Sequence, residues 1–185
     1  HTLYGSKQAE KGACLYQGEW VNYREIAMLE TSPYFYPYMR GREYVTLLAS
    51  HNPDFDLDGW NALFGLPLDQ PVDTYSTGMK KKVAFMGMLA LNRPILILDE
   101  PFNGVDLESN EKLIQILGHL KKQGKIILLS SHIIQALSAA ADKISYLKDG
   151  QIVETYVKQD FGKLHKHISE LVKHDVDAKI GNLLG

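Results

Sequence analysis

The sequence predicts an α/β fold that contains a mostly parallel sheet. In the second half of the chain, short apolar runs alternate with longer helical patterns, and an Asp-Gly pair separates the last two runs. The runs cover residues 95–98, 126–129, 144–147 and 152–156, and the helical patterns cover residues 107–122 and 133–141. Strands that alternate with helices favour a parallel sheet, and Asp149-Gly150 predicts a hairpin at its end.

The first half of the chain predicts two more strands and a helix-rich insertion. The strands cover residues 13–16 and 26–29, after the tail of a helix at residues 3–5. Helical patterns follow at residues 41–49 and 56–64, and a third begins after Ser76. This third helix should end near Asn92, because Pro94 disfavours its continuation. The insertion therefore spans about residues 40–93, between strands of the α/β core.

Composition and charge exclude several classes of function. The 185 residues are 45% hydrophobic, which suits one domain or one domain with a subdomain. Lys and Arg number 20 against 22 Asp and Glu, and this net charge of −2 gives no reason to expect nucleic acid as the main partner. Cys14 is the single cysteine, so we expect no internal disulfide and a reducing, cytoplasmic environment. The apolar runs fall far short of the ~20 residues that cross a bilayer.

The stretch Tyr75–Lys82, "YSTGMKKK", has the ingredients of an anion-binding helix start. Small polar residues leave backbone N–H groups free at the start of a helix, and cations lie nearby. The three lysines have two interpretations. They form a solvated face, or they help to bind a phosphate.

The stretch "ILILDEP" places two acids directly after an apolar strand. Asp99 and Glu100 would then lie at the carboxyl edge of the sheet, where open α/β sheets bind their ligands. This pattern matches a nucleotide hydrolase in which Asp99 holds Mg²⁺ and Glu100 orients and deprotonates the attacking water. The alternative is an ordinary buried strand followed by a solvated acidic turn.

The stretch "LLSSH" ends a second apolar strand with polar residues. His132 could donate a hydrogen bond to a phosphate oxygen or to a water, or it could be a capping or surface histidine. Ser130 or Ser131 could equally cap the helix that follows.

The order of these motifs, with "FNGVD" between the second and the third, resembles the ATP-binding subunit of ABC transporters. The first motif is similar to the signature sequence of that family, and "STGMKKKVAF" most resembles exporter-type subunits of the ABC-2 kind. "PYMRGREYVTLLA" and "ISYLKDGQIVETY" extend the resemblance over nearly the whole chain. It implies a P-loop NTPase-like ABC ATPase core with an inserted helical subdomain.

The resemblance also implies a role for each site residue. Asp99 would bind Mg²⁺, Glu100 would be the general base, and His132 would be the switch histidine near the γ-phosphate of ATP. In the signature, Ser76, Thr77 and Gly78 would contact ATP held by a second subunit, with Thr77 replacing a usual glycine. Asp106 would belong to the loop that couples the two sites across a dimer.

Two further departures from the family pattern are visible. The family's phosphate-binding loop, Gly-x4-Gly-Lys-Ser/Thr, has no match in the 185 residues. We therefore expect a fragment that lacks the N-terminal strands and this loop, and that binds ATP poorly by itself. The usual glutamine after the strand at residues 26–29 is replaced by Glu30 or Thr31, depending on a one-residue choice of alignment.

Four segments follow from this interpretation. Residues 1–39 are the remainder of the N-terminal core, 40–93 the helical subdomain, 94–157 the α/β core, and 158–185 a C-terminal helix. The aromatic loop "YFYPY" is expected to be half core and half docking surface for a membrane-spanning permease subunit. The leading hypothesis is the ATPase subunit of an ABC exporter, working as a homodimer or heterodimer on the inner face of the membrane. The alternatives are a non-hydrolysing interaction module and a soluble ABC-type ATPase outside transport.

Overall fold

The computed structural model describes residues 11–164, 166 and 167. The helix tail expected at residues 3–5 lies outside the described residues, as does most of the expected C-terminal helix. The chain divides into two compact units, residues 1–132 and 133–185. The four-segment division made from the sequence stays a prediction.

The first unit contains five strands and four helices among its described residues. In chain order they are β1 (Leu15–Tyr16), β2 (Glu19–Trp20), β3 (Ile26–Leu29), α1 (Gly41–Leu48), α2 (Leu57–Phe64), α3 (Thr77–Ala90), β4 (Ile95–Asp99), α4 (Leu107–Lys122) and β5 (Ile126–Ser130). Strands β3, β4 and β5 form a parallel sheet in that order, which confirms the expected α/β class.

The N-terminal hairpin differs from the single strand expected at residues 13–16. Strands β1 and β2 pair antiparallel around Gln17-Gly18, whose φ angles of 53° and 87° are both positive. Two-residue hairpin turns of this kind favour Asn-Gly or Asp-Gly, which tolerate positive φ best. Because Gln17 occupies the first position instead, the sequence does not predict this turn.

Helix α3 forms the centre of the first unit. Every residue from Val83 to Ala90 is buried, and burial of a side chain such as Phe85 contributes about 1.5–3 kcal/mol. Helix α1 packs closely on α3 at Gly87, where an added Cβ would lie 2.6 Å from Tyr44 Cε1 and 2.5 Å from Leu48 Cδ1. This buried helix fixes the place of its first turn, which carries the Ser-Thr-Gly motif.

Strand β4 is buried mainly on one face. Leu96 and Leu98 are buried, whereas Ile95 and Ile97 are half-buried. Side chains alternate between the two faces of a strand, so this pattern reports unequal cover on the two sides of the sheet. The neighbouring β5 is more open, with Ile126 and Leu128 each about half exposed.

The second unit contains one helix and a hairpin. Helix α5 covers Ile134–Ala140, and strands β6 (Lys143–Lys148) and β7 (Gln151–Val157) pair antiparallel through the predicted Asp149-Gly150 turn. Residues 161–164, 166 and 167 are helical. The core consists of Ile144, Tyr156, Phe161 and Leu164, with Ile134, Leu137 and Ala141 packed against it. Among the described residues of the chain, no helix has the length and low charge needed to cross a bilayer.

Candidate functional site

The carboxyl ends of the three parallel strands bring several predicted site residues together. Leu29 pairs with Leu98, and Asp99 pairs with Ser130 on β5. Parallel strands end at the same edge of a sheet, so Thr31, Asp99 and Ser130 meet there. All three lie in the first unit.

Asp99 accepts two hydrogen bonds from hydroxyl groups. Thr31 Oγ1 donates to Asp99 Oδ2 over 2.6 Å, and Ser130 Oγ donates to Asp99 Oδ1 over 2.5 Å. The Ser130 bond, followed by the Thr31 bond, lowers the pKa of Asp99 below its ordinary value. The carboxylate is therefore ionised at neutral pH, with hydroxyl oxygens beside both of its oxygens.

Of the two residues that sequence alignment left open, only Thr31 is hydrogen-bonded to Asp99 among the described contacts. Glu30 is exposed, and its charge helps to raise the pKa of Tyr44, for which burial is the main cause. The expectation that Ser130 could cap the following helix is wrong. The N-cap of α5 is Ile133, which makes no side-chain capping bond, whereas the Ser130 hydroxyl is directed to Asp99.

Glu100 has a left-handed backbone conformation, with φ at +49°. Its N–H donates to the Ser130 carbonyl over 3.1 Å and approaches Ser130 Oγ at 3.3 Å. Its carbonyl accepts from Lys81 Nζ over 2.5 Å and from the Asn103 N–H over 3.3 Å. The backbone of Glu100 is therefore held from both sides.

The side chain of Glu100 lies beside His132. Glu100 Oε2 and His132 Nδ1 are 2.9 Å apart, with the glutamate side chain 22% exposed and the histidine 67% exposed. The two atoms are close but are not aligned as a hydrogen bond, so within the described part of the chain Oε2 is a buried oxygen with no hydrogen-bond partner. A buried polar atom of this kind is unusual, and a water or a substrate atom would satisfy it.

The Ser-Thr-Gly motif lies at the start of α3. Ser76 is the N-cap, and its hydroxyl accepts from the Met79 N–H over 3.2 Å. Gly78 lies against the loop that precedes α4, since an added Cβ would be 2.9 Å from the Gly104 carbonyl oxygen. Thr77 borders the same loop, because a Cβ added to Gly104 would be 3.5 Å from Thr77 Cγ2.

Asp106 is the N-cap of α4. Its carboxylate accepts from the Ser109 N–H over 2.9 Å and from Ser109 Oγ over 2.8 Å. Those two bonds lower the pKa of Asp106 to about 2. Lys82 Nζ lies 3.5 Å from Asp106 Oδ2, the oxygen that accepts from Ser109 Oγ. Lys82 Nζ also donates to Ser109 Oγ over 3.2 Å.

Two of the three lysines are therefore not a solvated face. Lys81 is only 4% exposed and donates to the Glu100 carbonyl, while the side chain of Lys82 is 14% exposed and contacts Asp106 and Ser109. Lys80 is half-buried. Sequence reasoning missed Lys81, because a run of lysines carries no sign of which one turns inward.

The aromatic loop is more exposed than expected. Tyr34, Tyr36 and Tyr38 are 71%, 63% and 84% exposed, so they are not part of the core. Only Phe35 packs inward, with its ring 4.9 Å from that of Tyr44.

Comparison with known proteins gives the family. Residues 25–138, more than half of the chain, match the family described as "AAA domain, putative AbiEii toxin, Type IV TA system". A curated relative, the cobalt import ATP-binding protein CbiO of Rhodobacter capsulatus, is 33% identical over 85 residues, which are 46% of this chain and 30% of the relative. The chain belongs to this AAA domain family, and it is similar to ATP-binding proteins of ABC transporters.

Solved structures share the fold of this chain. The ATP-binding subunit of an ABC transporter is 25% identical, with a TM-score of 0.78 over 86% of this chain and 72% of that one. A dimeric ATP-binding cassette in a post-hydrolysis state, bound to ADP and Pi, is 21% identical, with a TM-score of 0.65 over 74% of this chain and 64% of that one. The chain spans about a third of the length of the curated relatives that it matches.

Proposed function

We propose that this chain is part of the ATPase subunit of an ABC transporter. It would supply the hydrolytic residues of one ATP site and the signature residues of a second. The observation that carries the proposal is the cluster at the sheet edge, where an ionised Asp99 with two hydroxyl neighbours precedes Glu100, whose carboxylate lies beside His132. In this assignment Asp99 binds the metal, Glu100 is the general base, and His132 contacts the γ-phosphate.

The residues at the sheet edge fit Mg²⁺. This ion prefers oxygen ligands, and it usually takes one or two carboxylates together with substrate phosphates. Asp99 with Thr31 and Ser130 offers such a partial set of oxygens. No group of three or more His, Cys, Asp or Glu side chains that could hold a metal ion occurs in the described ranges. When bound, Mg²⁺ neutralises charge on the phosphates of ATP. Glu100 Oε2 makes no hydrogen bond in the described part of the chain, which supports contact with an attacking water.

The signature half of the site would act on a second subunit. Ser76, Thr77 and Gly78 would contact ATP held by a partner ATPase subunit, in a homodimer or heterodimer. Asp106, which caps α4 beside that motif, would couple the two sites. The helix start at α3 supports this assignment, because its N–H groups and the capping hydroxyl of Ser76 favour an anion.

The exposed tyrosines support a separate membrane partner. Tyr34, Tyr36 and Tyr38 present large amphipathic side chains on one loop, and such residues are enriched at protein interfaces. We propose that this loop docks a permease subunit and that the protein works on the cytoplasmic face of the membrane. Export is the direction that "STGMKKKVAF" favours, although CbiO is a cobalt import protein by name. Substrate flux in vesicles that contain the permease tests the direction.

The test of the ATPase assignment uses the full-length protein from the native gene. Glu100→Gln should abolish turnover, because loss of a general base costs about 10²-fold or more, and it should preserve ATP-dependent dimerisation. Phosphate release and light scattering measure the two properties. Glu111→Gln, at an exposed position of α4, is the matched control and should hydrolyse ATP normally. Normal hydrolysis by Glu100→Gln would exclude Glu100 as the base.

A second function is a non-hydrolysing interaction module. The observation in its favour is that Gly-x4-Gly-Lys-Ser/Thr has no match in the 185 residues. By this observation we also expect the 185-residue chain alone to bind ATP poorly, which calorimetry can measure. The native reading frame upstream of the His1 codon decides between the two functions. A phosphate-binding loop there supports the ATPase, and a frame without one supports the module.

A further inference from the structure

The buried lysine of the signature helix, Lys81, contacts the backbone of the residue assigned as general base. We propose that Lys81 positions Glu100 by holding its carbonyl group, and so connects the signature half of the site to the hydrolytic half within one chain. The inference rests on the proposed function, in which Glu100 activates water.

The backbone of Glu100 has an uncommon conformation. Its φ of +49° places a non-glycine residue in the left-handed region, which most side chains avoid. Such a conformation persists only where the surrounding contacts impose it. The conformation sets the direction in which the Glu100 carboxylate leaves the backbone, so the contacts that impose it also aim the carboxylate.

Hydrogen bonds hold the Glu100 backbone at both its amide and its carbonyl. On the amide side, Ser130 receives the Glu100 N–H. On the carbonyl side, Lys81 Nζ donates over 2.5 Å, and the Asn103 N–H donates over a longer 3.3 Å. The lysine bond is shorter and its donor is charged, and charge-assisted bonds are stronger than neutral ones.

Lys81 is a buried charged residue. The residue is 4% exposed, although lysine is almost never fully buried without a partner. Burial lowers its pKa, while the charges of Glu100 and Asp99 act in the opposite direction. The buried ammonium group of Lys81 therefore has two acids and one carbonyl near it, and these surroundings hold it in a fixed position.

Lys81 lies on α3, the helix that carries the Ser-Thr-Gly motif. The same helix begins at Ser76 and contains Gly78, the residues assigned to the nucleotide of the partner subunit. Helix α3 is buried from Val83 to Ala90, and Lys81 lies only three residues after Gly78, within one turn of the same helix. A shift of its first turn on contact with the partner's nucleotide would therefore move Lys81 and the Glu100 carbonyl together.

The experiment compares lysine variants of the full-length protein by steady-state ATP hydrolysis. Lys81→Met removes the donor, and we expect kcat to fall about tenfold or more with little change in the KM for ATP. Lys81→Arg retains a charged donor and should recover most of the rate. Lys122→Met, at the exposed end of α4, is the matched control and should leave kcat unchanged.

The outcomes separate positioning from simple stability. If Lys81→Met does not fold, Lys81→Gln decides, because its amide is polar but one bond too short to keep the contact, and the same fall in kcat is expected. An unchanged kcat in the folded variant, or a raised KM with unchanged kcat, overturns the inference. Failure of the proposed function looks different: wild type does not hydrolyse ATP, or Glu100→Gln hydrolyses it normally.

Discussion

Gly78 and Gly118 are two helical glycines with opposite surroundings, and they make a sharp test of the packing at the signature motif. An added Cβ at Gly78 would be 2.9 Å from the Gly104 carbonyl oxygen, which belongs to the backbone. An added Cβ at Gly118 would meet nothing within 4 Å. The same substitution, Gly→Ala, should therefore change stability in opposite directions at the two positions.

The magnitudes follow from two competing effects. Alanine in place of glycine stabilises a helix by about 0.5–1 kcal/mol. At Gly78 this gain competes with overpacking, which costs about 1–3 kcal/mol, and the Gly104 loop cannot retreat freely because Asp106 anchors it as the cap of α4. We expect Gly78→Ala to lower the free energy of unfolding by about 1 kcal/mol, and Gly118→Ala to raise it by about 0.5–1 kcal/mol.

Urea unfolding monitored by tryptophan fluorescence measures this difference. Both tryptophans, Trp20 and Trp60, lie in the unit that contains the two glycines, so the signal reports that unit. No nucleotide is needed, which separates packing at Gly78 from any contact with ATP. If Gly78→Ala proves as stable as Gly118→Ala, the close approach to Gly104 is wrong.

Two further predictions concern the acids of the site. Asp106→Ala should lower the free energy of unfolding by about 1 kcal/mol by removing a helix cap, with a smaller loss for Asp106→Asn. Since the pKa of Asp106 is lowered from 3.8 to about 2, the stability due to its charge is complete above about pH 4 and is lost as the pH falls through 2. Urea titrations should therefore show wild type and Asp106→Asn converging over that range, and a constant gap would contradict the assignment. Ser130→Ala should raise the pKa of Asp99 toward 3.8, because it removes the strongest bond to the carboxylate. Carbon NMR of the carboxyl group measures this shift, and an unmoved pKa would exclude the Ser130 bond in solution.

Local sequence signals predicted most of the elements. Helix α4 has the bounds that its helical pattern predicted, and the sequence marks both ends, since Asp106 caps its start and Gly124, with φ at +84°, follows its end. The Asp149-Gly150 turn was likewise confirmed. These signals lie within a few residues of the feature that they specify, so they are readable without the fold.

The site was less predictable, because its contacts join residues far apart in the chain. Asp99, Glu100 and His132 were recognisable as polar residues at strand ends, and their assigned roles stay predictions. The hydroxyl of Ser130 reaches Asp99 through the parallel register of β4 and β5. Aligning the ends of the two strands could have found that contact. The inward turn of Lys81 depends on the packing of α3, for which the sequence holds no comparable signal.

The left-handed backbone at Glu100 places stability and chemistry in conflict at one residue. Glycine would relax that conformation at no steric cost, and asparagine would tolerate it better than glutamate does. A stability-guided redesign that considers only the backbone would therefore include Glu100 among the residues that it replaces. Such a protein would fold more easily and would lose the carboxylate that we assign to water activation. Thermostable variants of this chain should instead be sought at positions such as Gly118, where a gain in helix propensity removes nothing that the site uses.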